Sequence, residues 1–120
     1  MVADDESDLS DLVGSIRDRL PSVAETDALA DWFKLLGDPT RARILYALLE
    51  GGEVCVGDLA AVVDVQESTV SHALRWLRRA AVVQARRDGK QMYYRLDDGH
   101  VRMLLDVGRE HLRHRHEGAR

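Results

Sequence analysis

Close to residue 82 the hydrophobic period of this 120-residue chain changes from helical to strand-like, and that change limits the folds open to it. Up to Arg79 the apolar residues recur at helical spacing, in short runs interrupted by Gly, Pro and Asp. Then Val82-Val83-Gln84-Ala85-Arg86-Arg87 and Gln91-Met92-Tyr93-Tyr94-Arg95-Leu96 read as strands on either side of Asp88-Gly89, a hairpin-turn signal. From Asp97 to about His114 the helical period returns, with Val101, Leu104, Leu105 and Val107 in its apolar set. The chain therefore reads as mainly α with one β-hairpin, and it carries no internal repeat.

Ahead of the hairpin, punctuation separates the helices. Residues 1–25 form an acidic arm in which Leu9, Leu12, Ile16 and Leu20 share a helical face, closed by Pro21-Ser22. A second helix is predicted from a cap at Thr26, with Leu29, Trp32, Phe33 and Leu36 as its stripe and Gly37 as its stop. Asp38-Pro39, a cap followed by proline at the first helical position, opens a helix through Ile44, Leu45, Leu48 and Leu49 that Gly51-Gly52 end. A short helix over about 56–63 carries Leu59, Val62 and Val63. Beyond Asp64-Val65, a helix from about Glu67 to Arg79 turns Val70, Leu74 and Leu77 inward. The main domain spans 26–115, with 116–120 as a tail.

Composition removes several classes. A hydrophobic fraction of 45% with 32% charged residues is an ordinary folded mixture, which excludes disorder. No apolar run approaches the ~20 residues of a spanning helix. The start MVADDESDLSD is acidic where a secretion signal is basic and then apolar, and a single cysteine, Cys55, excludes an internal disulfide framework. Both predict a cytoplasmic protein. The net charge of −4 averages unlike regions: residues 1–31 carry nine acids against two arginines, whereas residues 67–95 carry seven bases against two acids. Charge distribution, not the total, is what phosphate binding requires.

Short helix, tight turn, second helix and basic hairpin is the order of a winged helix-turn-helix. Gln66, Ser68, Thr69, Ser71 and His72 place small hydrogen-bonding groups at the start of the second helix, where base edges are read in the major groove. Arg75, Arg78 and Arg79 follow within reach of phosphates, and Arg86, Arg87 and Lys90 are expected at the hairpin tip. Taken singly, Ser68 is a helix cap and His72 a surface histidine; taken together with the arginines and the hairpin, they point to double-stranded DNA. Ser71 beside His72 is no catalytic pair, since helical neighbours point ~100° apart.

Four of the five histidines, His100, His111, His114 and His116, fall in the last 21 residues, beside Asp98. His111 and His114 are three apart and share a helical face. Asp98 and His100 converge only at a helix N-terminus. His100 and His111 are eleven apart, within ~20° of one face but ~16 Å along the axis, too far to share an ion inside one chain. Two copies packed antiparallel bring Asp98 and His100 of one to His111 and His114 of the other, giving two equivalent sites per dimer. Three imidazoles and a carboxylate suit tetrahedral zinc or cobalt. The plainer reading is a His-rich polar tail, and it is the preferred one for His116 alone.

The segments LGDPTRARIL, EVCVGDLA, STVSHALRWL, DGKQMYYRLDDGH and the spacing D-x-H-x10-H-x2-H resemble the ArsR/SmtB family of metal-sensing winged-helix repressors, in the branch with a metal site in the last helix. The resemblance runs from about residue 26 to 114. It implies a homodimer, joined through its N- and C-terminal helices, that binds an operator upstream of metal efflux or sequestration genes and is released by metal. It also implies coupling from the second ring nitrogen of a ligand histidine, His111 here, to backbone near the end of the recognition helix. The arm offers no Cys or His to complete a second site with Cys55 and Asp58, so Cys55 reads as a mostly buried small hydrophobe. Zinc is the favoured ion, with nickel or cobalt, using His116 as an extra ligand, the alternative. Three other readings remain beside it: a metal-storage or delivery protein, a repressor switched by the Cys55 thiol, and a hydrolytic metalloenzyme. The last is disfavoured because four protein ligands leave no open position.

Overall fold

The computed structural model describes residues 2–118 and divides into two compact units, residues 1–32 and 33–120. The first holds α1 (Val2–Arg19) and most of α2 (Val23–Leu36). In α1 the apolar side chains Leu9, Leu12, Val13 and Ile16 are all exposed. α2 starts earlier than its sequence suggests. Ser22, not Thr26, is the capping residue, its hydroxyl oxygen accepting the Glu25 N–H at 3.1 Å. A capping hydroxyl three residues ahead of a glutamate is the stronger N-terminal signal.

The second unit carries the remaining elements: α3 (Pro39–Gly51), β1 (Val54–Cys55), α4 (Val56–Val63), α5 (Glu67–Arg79), β2 (Val83–Asp88), β3 (Gln91–Leu96) and α6 (Gly99–Gly118). Asp38 caps α3 through its carboxylate, which accepts the Arg41 N–H at 3.0 Å, with Pro39 in the first turn. Its other end closes at Gly52, whose φ of +80° is left-handed. Ile44, Leu45 and Leu48 of α3, Leu59 of α4 and Val70, Leu74 and Leu77 of α5 are fully buried together with Val82. Val101 and Leu105 dock α6 on this core.

Three antiparallel strands form the sheet, in the order β1-β3-β2. The two-residue β1 pairs Val54 with Tyr94 and Cys55 with Tyr93, and nothing in its local sequence announces it. The hairpin is displaced by one residue from its sequence reading. Asp88 pairs with Gln91, so the loop is Gly89-Lys90, and Gly89 takes φ +64°. A positive φ at the first loop residue alone is the pattern of a type II′ turn.

α5 ends in a Schellman arrangement. The Val82 N–H donates to the Leu77 carbonyl at 2.9 Å and the Ala81 N–H to the Arg78 carbonyl at 3.0 Å, with Ala81 left-handed at φ +58°. This turn fixes where α5 stops and β2 begins.

Candidate nucleic-acid interface and metal centre

Burial of Val70, Ala73, Leu74 and Leu77 orients α5. At ~100° per residue, Ser68, His72, Arg75 and Arg79 then point directly away from the core, with Thr69 and Trp76 on one flank and Ser71 and Arg78 on the other. All eight are exposed. The cap position is Gln66, which is exposed, has extended backbone and makes no side-chain cap bond, so Ser68 is not held as a cap. Ser71, Arg75, Arg78 and Arg79 line a shallow groove against Tyr94 of β3. A narrow helix carrying hydroxyls near its start and three arginines near its end matches the width and charge of a DNA major groove.

Trp76 escapes the inward stripe read from the sequence. It is 45% exposed, its indole edge-on to His72 at 6.4 Å between centroids and under the Arg79 guanidinium at 5.4 Å. The signal that finds it is its spacing, four residues from His72 and three from Arg79, off the Val70-Leu74-Leu77 stripe.

On the hairpin, Arg87 and Lys90 are exposed at or next to the tip, but Arg86 is not at the tip. It pairs with Tyr93, two ladder steps back, and its guanidinium lies over that ring at 5.2 Å. Its Nε donates to the Glu53 carboxylate at 3.0 Å and its Nη2 makes a second bond to the same oxygen. The Arg86 hydrogen bond holds the Glu53 carboxyl below the usual carboxylate range. Arg86 therefore ties β2 to the start of β1. On the same face, Arg95 donates to Gln84, and Gln84 donates to Asp97 at 2.6 Å.

Asp98 caps the last helix. One carboxylate oxygen, Oδ1, accepts the N–H groups of His100 at 2.9 Å and Val101 at 3.2 Å, while Oδ2 lies 3.3 Å from His100 Nδ1. Hydrogen bonding from the Val101 backbone, and then from His100, keeps this carboxyl below its usual range. His111 and His114 are exposed farther along α6. By helical rotation Met103, Leu104, Val107, His111 and His114 all lie within ~60° of His100. Met103, Leu104 and Val107 are 62%, 39% and 57% exposed, so one open face of α6 carries an apolar block between His100 and the pair His111 and His114. Among the described residues no three His, Cys, Asp or Glu side chains converge within a single protomer.

His116 lies on the opposite side of α6, in a recess with Tyr46, Arg109, Leu112 and Arg113. Sixteen residues from His100 is a rotation of ~160°, so the sequence expectation that His116 extends the same shell meets a geometric obstacle. That opposite side is braced on α3. The Tyr46 hydroxyl donates to the Leu105 carbonyl at 2.8 Å, and Arg109 lies over the Tyr46 ring at 5.9 Å and 3.5 Å from Glu50. Cys55 is half-buried rather than mostly buried, because β1 is a two-residue strand at one edge of the sheet.

Residues 38–85, from the cap of α3 through the first half of β2, match the model of the bacterial regulatory protein, arsR family. The chain is 41% identical over 100 residues to a transcriptional repressor SmtB homolog of Synechocystis, covering 83% of this chain and 75% of that one. It is also 41% identical, over 85 residues, to a cadmium resistance transcriptional regulatory protein CadC homolog of Staphylococcus aureus, covering 71% and 70%. Its fold is similar to the solution structure of a homodimeric winged helix-turn-helix DNA-binding domain from Mycobacterium bovis, a possible ArsR-family regulator. The TM-score is 0.67 at 32% identity, over 80% of this chain and 94% of that one. The order of elements, the exposed polar face of α5, the hairpin beside it and these likenesses agree, and the chain belongs to the ArsR/SmtB family of metal-sensing winged-helix transcriptional repressors.

Proposed function

We propose that this protein is a zinc-responsive repressor that binds operator DNA as a homodimer and lets go when zinc joins its two terminal helices. The observation that carries the reading is the open face of α6, where Met103, Leu104 and Val107 lie between His100 at one end and His111 and His114 at the other. Apolar side chains on such a face gain from being covered, and the imidazoles on it are too far apart to close a shell alone. An antiparallel second copy answers both needs at once, setting Asp98 and His100 of one protomer beside His111 and His114 of its partner.

The donor set fits the ion. Asp98 is held as a carboxylate with Oδ2 toward His100, and three imidazoles complete a tetrahedral N/O set of the kind zinc takes. Bound there, zinc supplies a fixed cross-link between two helices. Each α6 is anchored to its own α3 by Tyr46 and by Val101 and Leu105, and α3 shares its core with α5. A change in how the terminal helices cross is thereby carried to the spacing of the two recognition helices. The nickel or cobalt alternative relies on His116, which the rotation of α6 disfavours.

His100→Ala is expected to keep dimerisation and DNA binding while losing zinc-dependent release, and His116→Ala to leave release intact, both read by DNA-binding titrations with and without zinc. Retained release in His100→Ala would remove this site from the account.

A further inference from the structure

We infer that Trp76 is a positioning residue of the DNA-reading surface, where its indole packs on the sugar-phosphate backbone and holds Arg79 and His72 in place. The inference rests on reading α5 as the recognition helix. A single exposed apolar side chain is ordinary on a protein surface; this one is set apart by its partners. His72, Trp76 and Arg79 form a ladder over two turns of α5, the ring edge-on to the imidazole and face-on to the guanidinium. Trp76 is 45% exposed, although the apolar stripe of α5 beside it is fully or nearly fully buried.

Its place along the helix decides what it meets. Base edges are read chiefly by the N-terminal residues of a recognition helix, and the third turn comes to the backbone. Trp76 lies in that third turn, within one turn of Arg75, Arg78 and Arg79, whose charges suit phosphate. An indole offers that backbone a flat apolar face for a deoxyribose and one N–H donor for a phosphate oxygen. The guanidinium lies over the ring at 5.4 Å and makes no hydrogen bond to it, so the contact orders Arg79 without competing for the donors that phosphate would use.

The test uses the full-length protein and a duplex from its own gene's upstream region, at fixed salt, by fluorescence anisotropy. Trp76→Ala is expected to weaken binding about ten-fold, the loss of a packed stack, with the dependence on salt unchanged because no charge is removed. Arg79→Gln is expected to lower the salt slope by about one. The double variant should fall short of the product of the two, because either change alone breaks the stack. Trp76→Phe, which keeps the aromatic face, should retain most of the affinity. In a Trp32→Phe background Trp76 is the sole tryptophan, and its emission should change on saturation with DNA and become shielded from acrylamide. Should Trp76→Ala fail to fold, Trp76→Phe and the emission carry the test. Wild-type affinity in Trp76→Ala, or an emission that responds to protein dilution and not to DNA, overturns the inference. Failure of the wild-type protein to bind any upstream duplex overturns the repressor reading itself.

Discussion

Val107→Glu places a charge in the middle of the α6 face that the dimer is proposed to bury. The proposed two-fold axis passes midway between His100 and His111, near residues 105–106, so each Val107 meets the partner's helix close to that axis. Fully burying a valine side chain is worth about 1.5–2 kcal/mol, so covering the 57% left exposed contributes about 1 kcal/mol per subunit and about 2 kcal/mol per dimer. Glutamate forfeits that contribution and adds the cost of desolvating a carboxylate, at least about 1 kcal/mol more. Its charge also faces its own symmetry copy. The expected result is a dimer dissociation constant raised at least about 100-fold, from a loss near 3 kcal/mol. Sedimentation equilibrium measures it, with circular dichroism to establish that the protomer is folded. Arg113→Ala, on the far side of α6, is the control and should leave the constant unchanged. A folded Val107→Glu protein whose dimer constant moves less than about three-fold would refute the assignment of this face.

Two further outcomes follow from local geometry. Ala81 is left-handed at φ +58° in the turn that ends α5, a conformation costing a non-glycine residue about 1–2 kcal/mol. Ala81→Gly relieves that cost but adds up to about 1 kcal/mol of unfolded-chain entropy, so stability should rise by about 0.5–1 kcal/mol, seen as a Tm several degrees higher in thermal unfolding. The Glu53 carboxyl lies below its usual range chiefly through the Arg86 hydrogen bond, so its contribution is present above the unfolded carboxylate value and is lost as pH falls through the folded one. The small stability difference between wild type and Glu53→Gln should thus hold steady near neutrality and shrink on acidification, measured by urea unfolding across pH; a difference that grows toward acid would contradict the pairing.

What the sequence makes legible is what short-range chemistry decides. Asp38-Pro39 announces α3 because cap and proline act within one turn, and the stripe Val70-Leu74-Leu77 fixes the inward side of α5. The hairpin is visible in its alternation, yet its turn lies one residue later, since cross-strand pairing of Asp88 with Gln91 decides between neighbouring registers. β1 is two residues long and exists only because Tyr93 and Tyr94 pair with it from far along the chain. Arg86 looks like a tip arginine until Glu53, 33 residues away, is seen to hold it. In α6, spacing alone puts His100, His111 and His114 on one face and turns His116 ~160° away from it, while the recess it shares with Tyr46 and Arg109 becomes visible only in the fold. Trp76 is missed for a related reason: an aromatic in a helical run reads as core unless its angle to the buried stripe is worked out.

Metal on α6 is proposed to control DNA binding through α5. The most direct test is the affinity of the wild-type protein for its own upstream duplex, at one salt concentration, first with chelator and then with zinc. Salt is held constant because phosphate contacts make affinity steeply salt-dependent. Tight binding with chelator and a roughly 5- to 150-fold loss with zinc are expected, the range of an ordinary coupling free energy. Tight binding that zinc leaves unchanged would contradict that control, leaving a winged helix that reads DNA and a histidine face that does not govern it.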